Sequence, residues 1–122
     1  MTDRPRLGGM ADFHTRISTH ILDTASGEPA RDVYVRLERH DADGWRTLAE
    51  GRTDTDGRLR HQVPVDEWQA GGYRLLFNVE PYLGADAFFP EITVAFHVHD
   101  PDRHYHIPLL LSRYGYTTYR GS

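Results

Sequence analysis

Histidine, arginine and the chain end carry most of the chemistry this sequence offers. Eight histidines fall in 122 residues. Two pairs are spaced i, i+2: His97-Val98-His99 and His104-Tyr105-His106. On a strand that spacing points both rings to one face, as metal sites require. No third ligand stands at a fixed spacing from either pair, and His97 and His99 read as a solvated face with Val98 turned inward. The last four residues, Tyr119-Arg120-Gly121-Ser122, follow directly on a strand-like stretch, Tyr114 to Thr118. A guanidinium there can grip an anionic or carbonyl-rich ligand with two hydrogen bonds. The glycine allows close backbone approach.

Other chemistries are excluded by what is missing. Cysteine is absent, so no thiolate nucleophile, disulfide or Cys-based zinc site is available. All 14 basic residues are arginine, which removes Schiff-base chemistry and the phosphate-loop lysine. No Gly-x-Ser-x-Gly elbow occurs. The turn Asp54-Thr55-Asp56-Gly57 resembles part of a calcium loop, but Arg52 and Val63 occupy positions where that loop needs acids. A hydrolase built from this set would use water as nucleophile and histidine as its base.

The net charge of −4 argues against a nucleic-acid partner, which needs a concentrated basic face. No apolar run approaches the ~20 residues of a membrane span. Lack of cysteine fits a reducing, cytoplasmic setting. Residues 1–12, basic and glycine-containing, read as a disordered N-terminal arm, and a start at Met10 is compatible with the sequence. Residues 13–122 then form one domain.

The elements that must position these groups are strands. Period-two alternation interrupted by turn residues marks an all-β sandwich or barrel. Strands are expected at Arg16–Asp23, around Val33–Glu38, Trp45–Arg52, Arg58–Gln62, Tyr73–Val79, Ile92–Val98, Arg103–Leu111 and Tyr114–Tyr119, eight in all. Pro64–Ala70 suggests one helical turn, and Pro81–Ala87 a short helix. Pro108 inside a strand removes a ladder donor and predicts a bulge or an unpaired position.

Four segments in order carry a family resemblance: Ser18-Thr19-His20-Ile21-Leu22-Asp23 with the following Thr24 to Ala30; Thr53-Asp54-Thr55-Asp56-Gly57-Arg58; Tyr105-His106-Ile107-Pro108-Leu109-Leu110-Leu111-Ser112; and Tyr116-Thr117-Thr118-Tyr119-Arg120-Gly121-Ser122. Together they resemble the transthyretin-like 5-hydroxyisourate hydrolases. The resemblance implies a prealbumin-like sandwich of two four-stranded sheets with one short helix, assembled as a homotetramer (a dimer of dimers). It implies hydrolysis of the cyclic amide 5-hydroxyisourate without a cofactor or metal. His20, Arg58 and His106 would be catalytic, and Tyr119, Arg120, Gly121 and Ser122 substrate-binding. Strand parity agrees: His20 shares a face with Leu22, His106 with Pro108 and Leu110, and Tyr119 with Thr117 and Gly121. One histidine would activate water while Arg58 and Arg120 hold the carbonyls. Which histidine is the base stays open. So does a non-catalytic reading as a small-molecule carrier, alongside a histidine metal site and a purely structural interaction domain.

Overall fold

The computed structural model describes residues 12–122. The expected N-terminal arm lies, up to Ala11, outside the described residues. Nine strands form among the described residues: β1 (Phe13–Asp23), β2 (Glu28–Pro29), β3 (Tyr34–Asp41), β4 (Gly44–Arg52), β5 (Arg58–Pro64), β6 (Gly71–Asn78), β7 (Glu91–Val98), β8 (Tyr105–Leu111) and β9 (Tyr116–Thr118). They make two layers. One sheet runs β2-β1-β8-β9, with β5 also paired to β1; the other runs β4-β3-β6-β7.

The extra strand relative to the expected eight is the two-residue β2. The Asp23 carboxylate accepts the amide hydrogens of Ala25 and Ser26, which turns the chain sharply. Glu28 and Pro29 then fall opposite Asp23 and Leu22. The helical expectations shrink to short pieces. A three-residue 3-10 turn spans Val65–Glu67, and a single α-turn, α1, spans Glu80–Leu83. The latter stops short of Ala87 because Gly84 caps it, its amide donating to the Glu80 carbonyl. Among the described residues no helix is long and apolar enough to cross a membrane.

Alternation sets the core. In β1, Ile17, Thr19 and Ile21 are buried, while Ser18, His20 and Leu22 face the other way. In β8, Tyr105, Ile107, Leu109 and Leu111 point inward, leaving His106 and Leu110 on the opposite face. These inward rows meet Val35, Leu37, Leu75, Phe77 and Ile92 of the second sheet. Each fully buried aliphatic side chain contributes roughly 1.5–3 kcal/mol. Two sheets packed this way keep one face each for the core and one for solvent or partners.

Strand β1 is the hub of the first sheet. It runs parallel to β8, from Ile17 opposite Tyr105 to Asp23 opposite Leu111. It runs antiparallel to β5, ending with His20 opposite Arg58. The buried Thr19 hydroxyl donates to the Ile107 carbonyl at 2.5 Å, which ties the parallel register from inside the core. Strand β9 pairs with β8 from Leu111–Tyr116 to Leu109–Thr118. The pairing resumes only at the single bridge between His106 and Gly121. The gap falls at Pro108, which has no N–H to give, so the expected unpaired position is there.

The strand β5 beside this hub carries an ionisable liability. His61 on β5 sits opposite Ile17 and is buried, and among the described residues neither ring nitrogen has a hydrogen-bond partner. Burial lowers its pKa from 6.5 to about 4. The unfolded chain therefore takes up this proton first, so the associated stability is intact above pH 6.5 and is lost as pH falls towards 4. The full loss amounts to about 3 kcal/mol. Urea unfolding at pH 7 and pH 4.5 should show this decline, and His61→Leu should flatten it. An unchanged pH slope in that variant would contradict the assignment.

Candidate active site

The outward face of the first sheet collects basic groups from three strands. Ser18 lies opposite His106 across the parallel pair, and His20 lies opposite Arg58 across the antiparallel pair. Arg60 lies opposite Ser18 on the same side as Arg58. Ser18, Arg58, Arg60, His104, His106 and Ser122 line an open cleft of ≈ 420 Å³. His20 stands at the end of this face, beside Arg58.

Two local devices place Arg58 and His106. The first is the turn before β5. The Asp54 carboxylate accepts the amides of Asp56 and Arg58, both at 2.9 Å. Gly57 adopts φ +75°, and a Cβ there would lie 2.6 Å from the Ile21 carbonyl oxygen. The Ile21 amide donates to the Gly57 carbonyl at 2.8 Å. The turn is thus clamped to β1, and Arg58 has to emerge next to His20.

The second device is the chain end. The Gly121 amide donates to the His106 carbonyl at 2.8 Å. A Cβ on Gly121 would stand 2.6 Å from His106 Cδ2 and 3.2 Å from Pro108 Cγ. Only a residue without a side chain fits against the imidazole. Its flat edge is backed by the chain terminus, and Ser122 follows into the cleft.

The His106 ring is constrained on another side as well. Its Nδ1 lies 2.9 Å from the Ser18 hydroxyl oxygen. Its pKa is lowered, first by burial, then by the positive charges of Arg58 and His20. An imidazole so placed is neutral at pH 7 and keeps a lone pair for a proton. Arg58 beside it is a guanidinium suited to a carbonyl or developing oxyanion.

The terminal tetrapeptide divides between two places. Gly121 and Ser122 belong to the cleft. Tyr119 and Arg120 instead line a separate, mostly apolar hollow of ≈ 220 Å³ between β7 and the chain end, with Phe96, Tyr105 and Ile107. The Arg120 guanidinium carbon stacks 4.8 Å above the Tyr105 ring. Within one chain it is not brought to the cleft. Residues 119 and 120 lie beyond the end of β9 at Thr118, and the chain returns to β8 only at the Gly121–His106 bridge. Among the other histidines, His97 near the end of β7 and His99 just beyond it are exposed, with ring centroids 5.4 Å apart, while Val98 is buried. Among the described residues no three His, Cys, Asp or Glu side chains gather as a metal ion would need. Ser18 had no signal of its own in the sequence beyond its place in the first motif. Its partner lies 88 residues away.

A sandwich with this strand order and a histidine- and arginine-lined cleft on one sheet face belongs to the transthyretin class of β-proteins. The chain is a member of the HIUase/Transthyretin family, whose sequence profile matches residues 17–121. It is 48% identical over 109 residues to a 5-hydroxyisourate hydrolase of Salmonella dublin, covering 87% of this chain and 80% of that protein. The crystal structure of transthyretin from Sparus aurata superposes with a TM-score of 0.80 at 32% identity, over 88% of this chain and 97% of that one. The structure of Klebsiella pneumoniae 5-hydroxyisourate hydrolase gives 0.74 at 33% identity, over 87% and 97%.

The packing at the chain end makes a direct test available. Gly121→Ala should push the His106 ring from its seat and change its titration, followed by NMR. Thermal stability should hold within a few degrees, because the site lies at the surface end of the sheet. A His106 titration identical to that of the parent would show that the glycine is not required there.

Proposed function

We propose that this chain hydrolyses 5-hydroxyisourate, opening its cyclic amide to 2-oxo-4-hydroxy-4-carboxy-5-ureidoimidazoline. The observation that carries the reading is the meeting of His106, Arg58 and His20 on one outward sheet face, with Ser122 at its rim. The names of the relatives at 48% identity and of the Klebsiella neighbour support the same substrate.

His106 is the base in this proposal. A water in the cleft gives a proton to its free ring nitrogen while the water oxygen bonds to the ring carbonyl carbon. The carbonyl electrons move onto oxygen, where Arg58 stabilises the charge. As the carbonyl re-forms, the carbon–nitrogen bond breaks and the ring nitrogen takes a proton from the imidazolium. His20, beside Arg58, orients the water or the leaving nitrogen. Ser122 contributes to substrate binding with Gly121 shaping the wall. Tyr119 and Arg120, in the adjoining hollow, are proposed to bind substrate only through an assembled form. That form is the homotetramer of the family resemblance, and sedimentation at four times the 14.0 kDa chain mass is its check. A cytoplasmic location belongs to the same proposal.

The carrier reading is favoured by one observation, the 0.80 TM-score to a transthyretin. The two separate in one experiment: 5-hydroxyisourate generated by urate oxidase is followed by its ultraviolet absorbance after the protein is added. Hydrolysis predicts decay well above the spontaneous rate, and His106→Asn should cost about 10²–10⁴-fold. Decay at the spontaneous rate would favour a carrier.

The pH dependence follows from the charges. A base must be neutral, so the rate falls as pH drops through the folded pKa of His106, which lies below its ordinary 6.5. Arg58 helps to hold it down. Arg58→Gln should therefore lower kcat about 10²–10³-fold and shift the acid limb to higher pH. An acid limb that stays put or moves lower would contradict His106 as base.

A further inference from the structure

We infer that Ser18 is a positioning residue, whose hydroxyl accepts the Nδ1–H of His106 and so presents a bare Nε2 to the cleft. The inference deepens the proposed hydrolase reading and rests on it for its kinetic consequences, though not for the contact itself.

Three observations converge. Ser18 and His106 are register partners across the parallel β1–β8 pair, so their side chains emerge from the same face side by side. The Ser18 Oγ to His106 Nδ1 distance is 2.9 Å. The opposite edge of the imidazole is backed by Gly121, with no room for a Cβ. The ring is thus held from two sides, and one nitrogen is already committed.

Which nitrogen carries the hydrogen follows from the role of His106 as base. The groups facing His106 are Arg58 and Arg60 from β5, His20 from β1, His104 from the segment before β8, and Ser122 at the terminus. A neutral imidazole carries one N–H, so a ring that takes the proton of water at Nε2 holds its hydrogen on Nδ1. Ser18 Oγ, 2.9 Å away, is the acceptor for it. Without it the ring is free to exchange tautomers and to swing, and a fraction of molecules would present N–H to the water that must lose a proton.

Two measurements test this together. Long-range ¹H–¹⁵N spectra of the histidine-labelled wild-type protein should show His106 protonated at Nδ1 and bare at Nε2. Ser18→Ala should mix the tautomers. It should lower kcat for 5-hydroxyisourate about five- to tenfold, the worth of one hydrogen bond, with KM within twofold. It should also move the acid limb of the pH profile, and Ser18→Thr should restore both. A bare Nδ1 in the wild type, or kcat and pH profile unchanged in Ser18→Ala, would overturn the assignment. If the wild type does not hydrolyse 5-hydroxyisourate, the functional reading falls while the spectra still decide the contact. The wild-type spectrum also decides it should Ser18→Ala fail to fold.

Discussion

The parallel pairing of β1 with β8 is the constraint on which the rest depends. It joins residues some 88 positions apart, from Ile17–Tyr105 to Asp23–Leu111. Closing so long a loop costs entropy with no local reward. It is offset inside the core, where Ile17, Ile21, Leu109 and Leu111 are fully buried. The Thr19 hydroxyl on the Ile107 carbonyl adds a register-specific bond in a place where an unsatisfied donor would be costly. A slip of one residue would turn Ile17 and Ile21 outward and bury His20 and Ser18. The buried row therefore enforces the outward one: the stability of the hydrophobic face fixes which polar groups meet on the other.

The cleft is assembled from this frame by two short backbone devices. Gly57 lets the Asp54–Gly57 turn press against Ile21, delivering Arg58 beside His20. Gly121 lets the chain end press against the His106 ring. In each case the absence of a side chain permits a charged or titratable group to be held at a fixed spacing. The sandwich itself is shared with a transthyretin at TM-score 0.80. The sheet supplies the spacing, and the identity of a few outward residues supplies the reactivity.

Much of the fold was readable because alternation is a local signal. The inward rows of β1, β3, β6 and β8 and the turn at Asp54–Gly57 follow from residue type and period. Pro108 announced the break in the β8–β9 ladder by its missing donor. The two-residue β2 was not readable, since its pairing depends on how the Asp23 carboxylate bends the following turn. Residues that act through long-range contact were equally silent. Ser18 looks like any strand serine until β8 is laid beside it, and buried His61 lies on a strand whose solvent face carries Arg58 and Arg60. The terminal tetrapeptide shows the limit from the other side. Its residues read as one motif, yet Arg120 stacks over Tyr105 while Gly121 and Ser122 stand with His106.

The account's central claim is that Arg58 and His106 act on one another within a single cleft, Arg58 both steadying the developing charge and keeping His106 neutral. A double-mutant cycle on kcat/KM for 5-hydroxyisourate, with Arg58→Gln, His106→Asn and the pair, measures that coupling directly. The double variant should lose far less than the product of the two single losses, since either change alone disables the shared step. Strictly multiplicative losses would mean that the two groups work independently, and the account would be wrong.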